Sequence, residues 1–301
     1  MTLLHTHTGE GALGFLDEVF LHGLLDTLKL IPFLFLTYLL MEFIEHKASG
    51  KTTAFIKKAG ALGPIPSALV GAIPQCGFSA AAANLYTGRV ITVGSLLAVF
   101  LSTSDEMLPI LLSGGLPLSD VLIILAYKAL VAVAVGFATD GILKLFGKKR
   151  EDINIDELCD RDDCHCERGI LHSALHHTLT TGLFVFLVTL FINAVIFFVG
   201  EDALSMIMYD KPVVSHLIAA LFGLIPNCAA SVTLATFASE GLITSGTMIA
   251  GLFSGSGVGL LVLFKTNKSL KQNLAITSLL VVTGFAFGLL ADCIPFFTDL
   301  I

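Results

Sequence analysis

The chain has 301 residues, of which 55% are hydrophobic and only 14% charged, against roughly 25% charged in ordinary soluble domains. With a mean hydropathy of +0.87, this composition excludes a soluble globular protein and leaves no room for a separate soluble domain. Its 17 Lys and Arg against 24 Asp and Glu give a net charge of −7, which argues against nucleic acid as a partner.

In chain order, the first 25 residues hold Glu10, Asp17, Glu18 and the histidines His5, His7 and His22 but no Lys or Arg, so a cleavable leader with a basic start is not expected. Residues 11–25 are amphipathic, with Glu18, His22 and Lys29 near one face; an interfacial helix and an additional span both fit. Strongly apolar segments follow at 26–46, 62–88, 90–113, 118–146, 174–200, 212–238, 242–264 and 273–298. Each is expected to be helical, because a segment in lipid must satisfy its own backbone, and about 20 apolar residues cross a bilayer.

The polar stretch 144–168 divides the chain nearly in half. Sliding 71–112 onto 223–264 without gaps gives fourteen identities in 42 positions, including Pro74/Pro226, Cys76/Cys228, Ser79/Ser231, Ser102/Ser254 and Ser104/Ser256. Bias alone would give roughly three or four, so this is an internal repeat at an offset of 152. Asp140 and Asp292 pair at the same offset.

Lys47–Lys58, Lys144–Arg150 and Lys265–Lys271 are the basic loops, and short basic loops stay cytoplasmic. If every apolar segment crossed once, the first two would fall on opposite sides. The segments 62–88 and 214–240, each interrupted by Ile-Pro-Gln-Cys-Gly or Ile-Pro-Asn-Cys-Ala, are therefore expected to turn back as hairpins; kinked single crossings are the alternative. The expected fold is an all-α polytopic membrane protein with two inverted-topology repeats, each with a re-entrant helical hairpin and an interrupted helix. The repeats are 1–146 and 174–301, joined by a cytoplasmic Cys/His/acid-rich loop at 147–173.

Two adjacent acids, Asp105 and Glu106, lie about halfway along an apolar segment. At that depth each costs roughly 2.5 to 3.5 kcal/mol on an insertion scale, so both are expected to face protein, water or a cation. The candidate substrate site combines Gln75, Cys76, Ser79, Ser102, Ser104, Asp105 and Glu106 with Asn227, Cys228, Ser231, Ser254 and Ser256. Small residues that only pack helices are the bland reading of the serines. The metal ligands within the set would be Asp105, Glu106, Cys76 and Cys228. Glu42, His46, Lys128, Asp140 and Asp292 are candidates for proton or ion coupling; an interfacial helix end equally fits Glu42 and His46, and buried ion pairs fit the other three. Cys159, Cys164, His165 and Cys166, with His172 and His176, suit a regulatory soft or borderline metal, or are reduced thiols and imidazoles of a cytoplasmic loop. Enzyme chemistry is not expected: His172-Ser-Ala-Leu-His176 lacks the Glu of H-E-x-x-H, and neither G-x-S-x-G nor a phosphate-binding loop occurs.

Gly71-Ala-Ile-Pro-Gln-Cys-Gly-Phe-Ser79, Ser102-Thr-Ser-Asp-Glu-Met-Leu-Pro109 and Gly223-Leu-Ile-Pro-Asn-Cys228 resemble a bacterial family of ten-span heavy-metal exporters, whose members are labelled arsenic-efflux-like permeases or manganese transporters. The resemblance covers nearly the whole chain. It implies a membrane permease and assigns no role to any single residue; the expected location is the bacterial inner membrane, with the basic loops cytoplasmic by their charge.

Hard oxygen ligands suit Mn²⁺ and two cysteines suit softer ions. The expected function is secondary-active export of a divalent cation, manganese first, by alternating access between two hairpin tips. An arsenical or other small organic or anionic solute is the alternative, and a channel-like or metal-sensing membrane protein is the reading of another class. No cofactor is required beyond the transported metal. The expected partners are the lipid bilayer and a metal ion or small solute, with homo-oligomerisation left open.

Overall fold

The computed structural model describes residues 20, 21, 24, 25, 27, 28, 31, 32, 34–36, 38, 39, 62–73, 76–104, 107, 111, 112, 116–146, 170–199, 212–226, 228–239 and 241–298. All the secondary structure among them is helical. In chain order the helices are α1 (Pro64–Gly71), α2 (Cys76–Thr87), α3 (Val93–Ser102), α4 (Leu118–Leu145), α5 (Ile170–Val199), α6 (Pro212–Gly223), α7 (Cys228–Ser239), α8 (Ser245–Ser254), α9 (Val258–Thr266), α10 (Leu270–Asp292) and α11 (Pro295–Thr298). The described residues from 24 to 39 are helical as well.

This is a helical membrane protein. Among the described residues, four stretches are long and apolar enough to cross a bilayer: Leu118–Leu145, Ala174–Phe191, Ser245–Thr266 and Leu270–Asp292. Helix α4 shows why it suits lipid. Val121, Ile124, Lys128, Val131, Ala132 and Gly136 lie at helical spacing on its buried face, while Leu118, Leu122, Leu130 and Leu145 point outward. Leucines on the outside, with a lysine and small residues among those inside, are the reverse of a water-soluble helix.

Each local break has a chemical cause. Thr92 and Thr244 start α3 and α8 by accepting from Ser95 N at 3.0 Å and Thr247 N at 3.1 Å, the usual role of a hydroxyl before a first turn. Helix α8 stops at Ser254, and Gly255-Ser256-Gly257 separates it from α9. Gly257 sits at φ 53°, ψ −143°, a region that is strained for any residue with a Cβ. Helix α3 likewise ends at Ser102, with Thr103 extended.

Helix bounds recur at the sequence offset. Adding 152 to Cys76–Thr87 gives Cys228–Ser239, and adding it to Val93–Ser102 gives Ser245–Ser254. The buried face of α4 recurs in α10: Val121, Ile124, Lys128, Val131, Ala132 and Gly136 correspond to Asn273, Ile276, Leu280, Thr283, Gly284 and Gly288, all buried.

Helix α3 packs between α1 and α4, and α8 between α6 and α10. All of α8 is buried, as is α3 from Gly94 to Ser102. Helix α2 instead packs on α9, from the other half of the sequence. Close backbone approach fixes these pairs. A Cβ on Gly94 would collide with the Gly136 carbonyl and the Asp140 carboxylate, and one on Gly246 with Gly288 and Asp292. Small residues at helix contacts are what allow such proximity in lipid.

Candidate functional site

The two interrupted ends form the centre of the candidate site. Ser102 Oγ donates to Ala98 O at 2.7 Å and Val99 O at 3.1 Å, and Ser254 Oγ to Ala250 O at 3.3 Å and Gly251 O at 3.0 Å. These two hydroxyls thus bond back into the last turns of their own helices. Ser104 Oγ reaches across to Ala72 O at 3.0 Å, fastening the residues after α3 to the turn after α1.

Between the two ends lies Lys128, with 0% exposure. Its ammonium donates to the carbonyl of Thr103, which follows α3, and to Leu252 O in the last turn of α8 at 2.9 Å. The Phe253 ring centroid is 5.9 Å from Nζ. Carbonyls at a helix C-terminus carry partial negative charge and lack intrahelical donors, so an ammonium is the complementary partner.

At the break between α8 and α9, the Ser256 side chain is 1% exposed and its Oγ has no hydrogen-bond partner among the described residues. A buried hydroxyl left unbonded costs about 1 to 3 kcal/mol. Ser79 packs against Gly259, where an added Cβ would lie 2.7 Å from Ser79 Cβ, and Ser231 Oγ borders Gly255. Farther along, Thr87 Oγ1 and Thr266 Oγ1 meet at 2.9 Å. Contacts at the first turns and again at the last residues make α2 and α9 parallel, with their N-termini side by side. Their dipoles add, making that end a positive pole.

The structure therefore brings Ser79, Ser104, Ser231, Ser254, Ser256 and Lys128 to the two interruptions. Gln75, Asp105, Glu106 and Asn227 lie outside the described residues, and of Cys76 and Cys228 only the backbone is described, at the first positions of α2 and α7. Glu42, His46, Cys159, Cys164, His165 and Cys166 also lie outside them. His172 and His176 are exposed on α5, and no group of three or more His, Cys, Asp or Glu that could hold a metal occurs among the described residues.

Asp140 and Asp292 sit at the opposite ends of α3 and α8 and tie down their first turns. Asp140 accepts from Thr92 Oγ1 at 2.7 Å and Gly94 N at 2.9 Å; Asp292 accepts from Thr244 Oγ1 and Gly246 N, both at 2.8 Å. Buried His216 places Nε2 3.0 Å from Asp292.

Sequence reasoning missed His216 and a second buried cluster. Tyr38 OH is hydrogen-bonded to Thr181 Oγ1 at 2.8 Å and donates to Asn84 Oδ1 at 3.3 Å, while its ring stacks on His177. These side chains come from three distant segments. Only the polar Asn84 within an alanine-rich helix could have signalled the cluster. No family model, curated protein or solved structure matches the chain.

Proposed function

We propose that this protein is a secondary-active transporter that exports a divalent metal cation, manganese first, across the bacterial inner membrane, working by alternating access. The observation that carries the reading is the meeting of two interrupted helix ends on one buried ammonium. Main-chain oxygens converge there on positive charge, and Asp105 and Glu106 follow Thr103 and Ser104 in sequence. Discontinuous helices whose ends face a central site are how membrane transporters expose backbone groups to ions. Ser256 adds an unbonded hydroxyl with lone pairs suited to a hard cation.

In this reading the two halves are inverted-topology repeats. The support is the recurrence at 152 residues of helix bounds, buried faces and the Asp140 and Asp292 anchors. The pairs α1–α2 and α6–α7 would be the re-entrant hairpins, with the basic loops cytoplasmic. In proteoliposomes, Asp105→Asn and Glu106→Gln should abolish manganese transport; undiminished flux would remove both acids from the site.

A second reading, an arsenical or other small anionic solute, is favoured by one observation: the N-termini of α2 and α9 lie side by side, and helix N-termini attract anions. Competition among Mn²⁺, Zn²⁺, Fe²⁺, arsenite and methylarsenite, with a pH gradient imposed or collapsed, separates the two.

A further inference from the structure

We infer that Asn84 anchors an internal water site, in which its amide bonds one buried water beside Tyr38, Thr181 and His177. The Asn84 side chain is 0% exposed, and its Nδ2 has no hydrogen-bond partner among the described residues. Its Oδ1 accepts from Tyr38 OH at 3.3 Å, and that hydroxyl is bonded to Thr181 Oγ1 at 2.8 Å. Turning the amide end for end only exchanges the two roles: the nitrogen then donates to the Tyr38 oxygen, and Oδ1 is left over. A water answers either case, because it both donates and accepts.

The surroundings suit such a guest. Thr181 is buried completely, and Tyr38 and His177 are each 2% exposed, so three more polar side chains are enclosed with the amide; a buried water typically makes about three hydrogen bonds. The His177 ring, stacked on Tyr38 with centroids 5.2 Å apart, holds the phenol in place. Along the chain, the residues one helical turn either side of Asn84 are Ala80 and Gly88, which share its face and take up little space. The equivalent position 152 residues later is Thr236, so the repeat does not demand an amide here. The consequence for movement rests on the transporter reading above. Helix α2 packs on α9, while its Asn84 meets the helical segment around Tyr38, and a water that changes partners lets α2 shift there without stranding polar atoms.

Water-edited solid-state NMR of the full chain in lipid bilayers, with isotope-labelled asparagine, tests the site. The Asn84 Nδ2 signal is identified by its loss in Asn84→Leu, or in Asn84→Asp should the leucine variant not fold. Asn273 is the control, because it is 1% exposed yet bonded at both ends of its amide: Nδ2 donates to Asn267 O at 3.2 Å and Oδ1 accepts from Asn267 Nδ2 at 2.6 Å. Magnetisation from water should reach Asn84 Nδ2 several-fold faster than Asn273 Nδ2, and equal rates overturn the proposal. Tyr38→Phe removes the hydroxyl bonded to the amide and keeps the ring. Transfer that survives this change comes from water; transfer lost with the hydroxyl traces to the phenolic proton and overturns the proposal. None of these readings uses manganese, so a chain that holds this water yet carries no metal would refute the transport reading alone.

Discussion

His216 Nε2 lies 3.0 Å from the carboxylate of Asp292, whereas Asp140, the equivalent aspartate 152 positions earlier, has Pro64 in the place of that histidine. The two carboxylates otherwise make matching bonds to the starts of α8 and α3. Hydrogen bonds to a charged group contribute about 1.5 to 3 kcal/mol each, less where partners compensate, so Asp140→Ala should cost about 2 kcal/mol. Asp292→Ala should cost more, because it also removes the ion-pair partner 3.0 Å from the buried imidazole of His216. Unfolding in detergent ranks the two, and the reverse order would detach His216 from the anchoring role.

Glycine contacts give a second test. A Cβ on Gly136 would lie 2.7 Å from Gly94 O and 2.9 Å from Pro64 Cβ, and one on Gly288 would lie 2.7 Å from Gly246 O. Alanine at either position should destabilise by roughly 1 to 3 kcal/mol, as overpacking does. Gly141, with nothing within 4 Å, is the control: Gly141→Ala should be neutral or gain up to about 1 kcal/mol from helix propensity. Equal losses at all three positions would refute the close-approach account.

Ser256 and Ser254 should separate cleanly. Ser256→Ala removes an unbonded buried hydroxyl, so thermal stability should hold or rise. Apparent manganese affinity should fall about tenfold, or about 1.4 kcal/mol, for one lost ligand. Ser254, already bonded within α8, should tolerate alanine with little change in transport. A Ser256→Ala protein with full transport would reduce that hydroxyl to a packing element.

Topology is tested by labelling. Cysteines placed at Lys58 and Arg89 should be modified from the same side of the membrane if α1 and α2 are limbs of one hairpin. Cys293 is exposed, so the background must lack it. Labelling from opposite faces would overturn the hairpin and restore kinked single crossings.

Much of the architecture was legible because membrane constraints act on local composition. The segment at 118–146 reads as α4 from its apolar length, and the breaks near 103 and 255–257 read from Ser-Thr-Ser and Gly-Ser-Gly. The repeat read directly from identities such as Thr92/Thr244, and both prove to be helix caps. Helix α5 begins at Ile170, earlier than the apolar signal at 174, because His172 and Ser173 are polar yet extend the helix beyond its apolar stretch. Lys128 could be singled out by its depth, but two of its partners, Thr103 O and Leu252 O, are main-chain carbonyls, which no sequence pattern marks. The same holds for Tyr38, Asn84, Thr181 and His177, which meet only through tertiary packing. The parallel pairing of α2 with α9 was equally hidden, since the repeat relates α2 to α7 and says nothing of which helix each one leans on.

That pairing has a mechanical consequence. Helices α1, α3 and α4 pack together, as do α6, α8 and α10, while α2 leans on α9. The chain passes between these groups at 255–257, where α8 breaks into α9, and at the turns 88–92 and 267–269. A rigid-body swing of α2 and α9 against the rest would bend at 255–257, beside Ser256, and at those two turns, rather than at the polar stretch that divides the sequence. One hinge and part of the candidate site would then be the same few residues, so that movement could not occur without remaking the site.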